Sequence, residues 1–118
     1  MVLYLKMDQN VWCQRDFTDS ATYDLSGTVY DDNRLTTTRN ISSFTPTFRI
    51  IDQHGELIFS TQQNITVNSN GTFLIKFSEG LSPVVQGTYQ VRLRLEVSGT
   101  RVTCVGVNGS DQIYFEYD

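Results

Sequence analysis

The sequence predicts an all-β fold, an antiparallel β-sandwich of about seven to nine short strands, and three observations carry that expectation. Apolar residues recur at every second position in stretch after stretch. Clusters of Gly, Asn, Asp and Ser interrupt these stretches about every ten residues. No stretch shows the three-to-four spacing of an amphipathic helix.

The longest alternation, GTYQVRLRLEV from Gly87 to Val97, organises the rest. Tyr89, Val91, Leu93, Leu95 and Val97 share one face of an extended chain, and Gln90, Arg92, Arg94 and Glu96 share the other. Helical spacing would scatter the two arginines around a cylinder and leave no apolar stripe. At ~3.3 Å per residue this run spans roughly 30 Å, the height of a small sandwich, so the other strands are expected to pack against it.

In chain order, Val2 to Met7 reads as a first strand with Leu3, Leu5 and Met7 inward. Asp8 to Ser20 is mostly polar, and with only Val11, Trp12, Cys13 and Phe17 as core material it is either a short strand or a loop over one end. Ala21 to Val29 alternates again, with Tyr23, Leu25, Gly27 and Val29 on the inner face. Asp31 to Asn33 and Thr36 to Thr38 form a polar turn rich in residues that bond their own backbone. Phe44, Pro46, Phe48 and Ile50 then face inward, and Pro46 marks an edge strand or a strand start because it lacks an N–H for the ladder.

Asp52 to Gly55 is a hairpin turn leading to Leu57 and Phe59. Ile65 and Val67 make a short strand that turns at Asn70-Gly71, the strongest local hairpin signal in the chain, into Phe73, Ile75 and Phe77. Ser78 to Gln86, with Gly80 and Pro83, is expected to cross between sheets. After the long strand, Ser98-Gly99 turns into Val102, Cys104 and Gly106. Asn108-Gly109 turns again into Ile113, Phe115 and Tyr117. A small closed barrel is the alternative, because alternation alone does not reveal whether the outermost strands pair.

At 118 residues the whole chain, 1–118, is expected to be one domain with one core. A net charge of −4 with signs interspersed argues against nucleic acid, which would need clustered Lys or Arg. The opening MVLYLKMDQNVW has no basic region followed by a long apolar run and a cleavage site, so it reads as no signal peptide. No run approaches the roughly eighteen apolar residues of a membrane span, so no membrane partner is expected. Synthesis and retention in a cytosol follow, unless an assembly carries the protein out. In such a compartment Cys13 and Cys104 are better read as two buried thiols than as a disulfide, although a bridge between them is geometrically possible.

No constellation for catalysis emerges, and no catalytic, cofactor-binding or metal-binding residue is assigned. The single histidine, His54, sits beside Gly55 in a turn, where a solvated residue outweighs a general base. Asp31 and Asp32 lack the alternating ligands and closing Glu of a calcium loop and read as solvated turn residues. Asn40, Asn64, Asn70 and Asn108 each head an Asn-x-Ser/Thr triplet; without a signal peptide they read as turn and strand-edge residues rather than glycan acceptors. Thr22, Thr28, Thr45, Thr47, Gln90 and Arg92, with Tyr4, Tyr30 and Tyr114, give polar outer faces suited to proteins or sugars, and equally to solvent alone.

Gly87, Thr88 and Tyr89 resemble the turn-and-tyrosine start of strand F in immunoglobulin-like domains, which makes the expected sandwich immunoglobulin-like; a Tyr at the mouth of any buried strand would look the same. Two longer stretches carry a second resemblance. TYDLSGTVYDDNRLTTTRNISSFTPTFRIIDQHGELIFS gives a strand, a polar turn, a step at Asn40 to Ser43 and an aromatic-Arg strand ending in Asp-x-x-Gly. NGTFLIKFSEGLSPVVQGTYQVRLRLEVSGTRVTCVGVNGSDQIYFEYD gives Asn-Gly, a strand, a Gly-Thr-Tyr strand, a Gly turn and a terminal strand. From about Phe17 onward the chain thus resembles the immunoglobulin-like domain at the N-terminus of the phage baseplate upper protein.

That resemblance implies a bacteriophage virion structural protein, made in the bacterial host cytoplasm and located in the virion, with no catalytic residues and no cofactor. Family members usually continue into a fibre or receptor-binding segment, and since this sequence stops at Asp118 the linker-to-fibre role is not carried over. Its expected partners are other virion proteins of the tail, baseplate or capsid, in a symmetric multi-copy assembly where modest contacts add. The alternative is a carbohydrate- or receptor-binding module that takes a host-surface glycan in loops around Trp12, Asp31 to Asn33 and Asn108.

Overall fold

A computed structural model describes residues 1–13, 23–77 and 86–116. Among them the chain is all-β, with ten strands: β1 (Tyr4–Met7), β2 (Val11–Cys13), β3 (Tyr23–Tyr30), β4 (Thr45–Ile51), β5 (Leu57–Thr61), β6 (Ile65–Val67), β7 (Thr72–Phe77), β8 (Gly87–Val97), β9 (Thr100–Thr103) and β10 (Gln112–Glu116). The strand beyond the expected nine is β2, the three residues that the sequence left between a strand and a loop. No helix occurs among the described residues, so none could cross a membrane.

Two sheets face each other. One has the order β1-β3-β7-β6, the other β2-β10-β8-β4-β5, with β9 sharing the β10 edge of β8. This is the strand order of an immunoglobulin-like sandwich, with β8 in the place of strand F. β8 alternates as its sequence requires: Tyr89, Val91, Leu93 and Leu95 are buried, and the residues between them face outward. It pairs with β4 from Gln90 to Glu96, and on its other edge first with β10 and then with β9. All ladders are antiparallel except β2 with β10, which run parallel.

The core collects Leu3 just ahead of β1, Leu5 and Met7 from β1, Leu25 and Val29 from β3, Phe48 and Ile50 from β4, Phe73 and Ile75 from β7, and Ile113 and Phe115 from β10, all almost wholly buried. These residues lie inward as alternation expects, but on β4 Thr47 and Ile51, expected outward, are buried as well. Ile41 is equally buried, although it lies in the polar run Asn40 to Ser43.

Pro46 resolves as a strand start rather than an edge. β4 runs between β8 and β5, but β5 pairs with it only from Phe48 onward, so the missing N–H of Pro46 lies where no strand asks for it. One hairpin and one turn follow their residues. Ser98 and Gly99 both have positive φ, the two-residue turn that joins β8 to β9 and matches strand twist, and Asn108 with Gly109 has the same backbone in a turn between strands that do not pair with each other. Gly71, at φ 89°, also gives close passage to the neighbouring chain: a Cβ there would lie 2.9 Å from the Arg39 carbonyl oxygen.

The strand expected from Arg101 to Val107 ends at Thr103, because the backbone beyond Cys104 changes partner. Val105 N–H donates to the Leu3 carbonyl and Leu5 N–H to the Val105 carbonyl, at 3.0 and 2.9 Å, while Met7 N–H donates to the Ser110 carbonyl at 2.8 Å. β1 therefore pairs with β3 on one edge and with the 105–110 segment on the other, joining the two sheets along one side. On the opposite side β5 and β6 are outer strands of different sheets with no ladder between them, so the fold is a sandwich and not a closed barrel. The Ser78–Val85 part of the expected crossing lies outside the described residues, as do Thr22 and Phe17; β7 ends in one sheet and β8 begins in the other.

Candidate functional site

The residues singled out in the turns prove to be occupied by their own loops. The Asp32 carboxylate accepts the N–H groups of Thr36 and Thr37, at 3.0 and 2.9 Å, and the Thr36 hydroxyl. Asp31 pairs with Arg39 at 3.2 Å. These contacts build the turn, and no group of three or more metal-ligating side chains forms among the described residues.

The Thr36 hydroxyl above all, then the Thr37 N–H, holds the Asp32 carboxyl below its ordinary value of 3.8. A depressed folded value means that this contribution to the loop is complete above 3.8 and is lost as pH falls through the lower, folded value. The amide resonances of Thr36 and Thr37 should therefore titrate with a midpoint below 3.8. A midpoint at or above it would show that the capping is absent in solution.

The four triplet asparagines also have local work. The Asn40 side-chain oxygen accepts from the Ser42 N–H and hydroxyl, and that of Asn70 from the same two groups of Thr72. Asn64 and Asn108 hold left-handed backbone at φ 61° and 53°. An Asn followed two residues later by Ser or Thr is here a turn device, as read from the sequence. His54 is exposed at the rim of a hollow of about 340 Å3 that Asp52, Glu56 and Tyr89 also line. The Asp52 carboxylate faces the turn instead, taking the N–H groups of His54 and Glu56, both at 2.8 Å.

A concavity of about 700 Å3 lies along the β1 and β10 side. It brings together the three loop regions expected around a ligand, through Asn33, Asn108 and, next to Trp12, Asn10 and Val11, with Arg34 and Tyr114. Leu35 holds φ 58°, a backbone state that disfavours bulky side chains, so the rim stores strain. Trp12 does not join them: it packs partly buried against the core, since β2 turns its middle residue inward. Tyr114 is half-buried, with its hydroxyl accepting from Gln86 Nε2 at 2.9 Å. Tyr4 and Tyr30 are likewise half-buried rather than free on the surface.

The outer face of the larger sheet is the more unusual surface. Thr45, Gln90 and Arg92 are exposed on it as expected, whereas Thr47 is buried, with the Gln62 amide 3.5 Å from its hydroxyl. Arg49 of β4 stands directly opposite Arg92 of β8, and Thr47 opposite Arg94, so three arginines with Thr47 and Thr103 surround a hollow of about 70 Å3. None of the three arginines makes an ion pair among the described residues. Arg101, on the same face, is paired with Glu96 at 3.2 Å. Alternation placed Arg92 and Arg94 on this face, but the register that sets Arg49 against them belongs to strand pairing and has no signal in either strand alone.

Gln90 Nε2 donates to the buried Asp111 at 2.9 Å, a contact the sequence did not announce. The two cysteines differ from the expectation of two buried thiols: Cys104 is buried, but Cys13 is exposed, because an inward Trp12 turns its neighbours outward. They are not joined. Burial pushes the Cys104 thiol up to about 12, so it is not a thiolate at neutral pH. A maleimide should thus label Cys13 in the native protein and Cys104 only on unfolding; two equivalents consumed without denaturant would contradict this packing.

No family model and no curated protein matches the chain. Among solved structures, the endo-beta-1,4-mannanase from Thermotoga petrophila is similar over 100% of this chain, with a TM-score of 0.50 and 11% identity. The chain spans 20% of that protein's length. At this identity the likeness shows the fold alone.

Proposed function

We propose that the chain is a non-enzymatic docking module of a bacteriophage virion, located on the tail, baseplate or capsid after synthesis in the host cytoplasm. It holds neighbouring virion proteins through its sheet faces, in many symmetric copies. The observation that carries the docking part is the outer face of the larger sheet, where three arginines stand without ion partners among the described residues. The resemblance to the immunoglobulin-like domain of the baseplate upper protein supports the virion part.

The test is particle composition. In gradient-purified virions the chain should be found by mass spectrometry at a fixed ratio to the other structural proteins and should survive a high-salt wash. Its presence only in the particle-free lysate would refute the reading. A second reading, a module for a host-surface glycan, has one observation in its favour, the concavity that brings Asn33, Asn108 and Tyr114 together. Glycan-array binding lost in Asn108→Ala would support it, whereas Trp12→Ala is a poor probe because Trp12 packs against the core.

A further inference from the structure

The arginine hollow on the larger sheet deepens the docking reading and rests on it. Arg49 and Arg92 are cross-strand partners, and Arg94 follows Arg92 two residues along the same face. Like charges directly opposite one another on a sheet are destabilising. The nearest acid along β8 on that face, Glu96, is turned to Arg101. Arg49 adds a second cost: its Nε is closed off from solvent with no hydrogen-bond acceptor. A buried donor of this kind is satisfied in nearly all folded proteins.

An anion removes the first cost, since a carboxylate accepts from a guanidinium through two parallel N–H groups and neutralises the repulsion. The hollow, about 70 Å3, has the size of one carboxylate rather than a folded ligand. Charge decides the class of partner. Four of the nine cationic residues, Arg49, Arg92, Arg94 and Arg101, lie on this one face of a chain with net charge −4. Three unpaired arginines neutralise only about three phosphates, too few to hold a nucleic acid at physiological salt against the repulsion of the remaining acidic surface. Spacing decides its form. Arg92 and Arg94 are two strand residues apart, roughly 7 Å, which is also the separation of alternate side chains in an extended peptide.

We propose that Arg49, Arg92 and Arg94 form a docking site for an extended acidic segment of a partner protein, with carboxylates at alternate positions along β8.

The test uses 15N-labelled full chain in low salt, titrated with the peptide acetyl-Thr-Glu-Thr-Glu-Thr-Glu-Thr-amide and with its Glu-to-Gln counterpart. The acidic peptide should shift the arginine Nε–Hε cross-peaks of these three residues saturably, with at least tenfold weaker binding for the Gln peptide and for Arg92→Gln/Arg94→Gln. The triple variant with Arg49→Gln should melt no lower than the wild type, because it removes like-charge repulsion and an orphaned donor. Absence of saturable shifts, or equal binding by the variants, overturns the site. So does tighter binding of a single-stranded oligonucleotide than of the peptide, or a dimer in sedimentation that the variants dissolve. Particle assembly separates the two readings: virions lacking the wild-type chain refute the virion role and leave the peptide result intact. Virions that take up wild type and triple variant equally, with no peptide binding, refute the arginine site alone.

Discussion

Phe48→Ala is expected to lower the free energy of unfolding by about 3–5 kcal/mol, the range for deleting a large buried aromatic. Phe48 is 0% exposed, on the inner face of β4, opposite Leu93 of β8 and Thr61 of β5. β4 and β8 share the longest ladder among the described residues, so the void would open at the centre of the larger sheet, where the flanking strands cannot collapse without losing register. Total stabilities of single domains are about 5–15 kcal/mol, so the change removes a large share of what holds the fold. Urea unfolding of the two proteins measures it. A loss below about 1 kcal/mol would show that the core relaxes around the site, contrary to the close packing typical of interiors.

Gly27→Ala is the second large effect, and it acts by excess volume. Gly27 is the middle of β3, opposite Met7 of β1 and Phe73 of β7. A Cβ there would lie 2.6 Å from the Lys6 carbonyl oxygen and 2.6 Å from Cζ of Phe73. The oxygen is backbone and moves only with β1, and Phe73 is itself 1% exposed, so neither neighbour can yield cheaply. Overpacking of this kind typically costs about 1–3 kcal/mol and occasionally more, and with two opposed contacts Gly27 belongs at or above the top of that range. Coupling to the ring is the discriminating measurement. Combined with Phe73→Leu, which removes the Cζ contact, Gly27→Ala should cost less than it does alone, giving a favourable interaction energy in a double-mutant cycle. Strict additivity would place the clash elsewhere.

What the sequence showed follows from the length scale of each signal. Alternation is a property of one strand, so the inward faces of β1, β3, β7, β8 and β10 could be read directly, as could the turns at Ser98-Gly99 and Asn70-Gly71, where residue type and backbone state are tied. Gly27 read only as one residue of an inner face; the reason for a glycine there, the ring of Phe73 filling its place, depends on which strand lies beside it. Ile41 was hidden because its neighbours are polar and its burial comes from where the loop is laid. Thr47 was misjudged in the same way, expected on a wet face, whereas Trp12 packs as the core material it was read to be. The arginine cluster is legible only as a product of register: Arg49 lies 43 positions before Arg92, and nothing local to either announces the other.

The junction of β1 and the 105–110 segment has a mechanical side. The bridge at Tyr4 and Val105 is parallel, as is the ladder of β2 with β10. Tension applied ahead of β1 and beyond β10 would drag these partners past one another lengthwise, so their hydrogen bonds bear the load together in shear instead of opening one after another like a zip. Antiparallel hairpins pulled from their open ends have no such arrangement. Under such a pull this seam is the part of the domain that sets how long it endures under force.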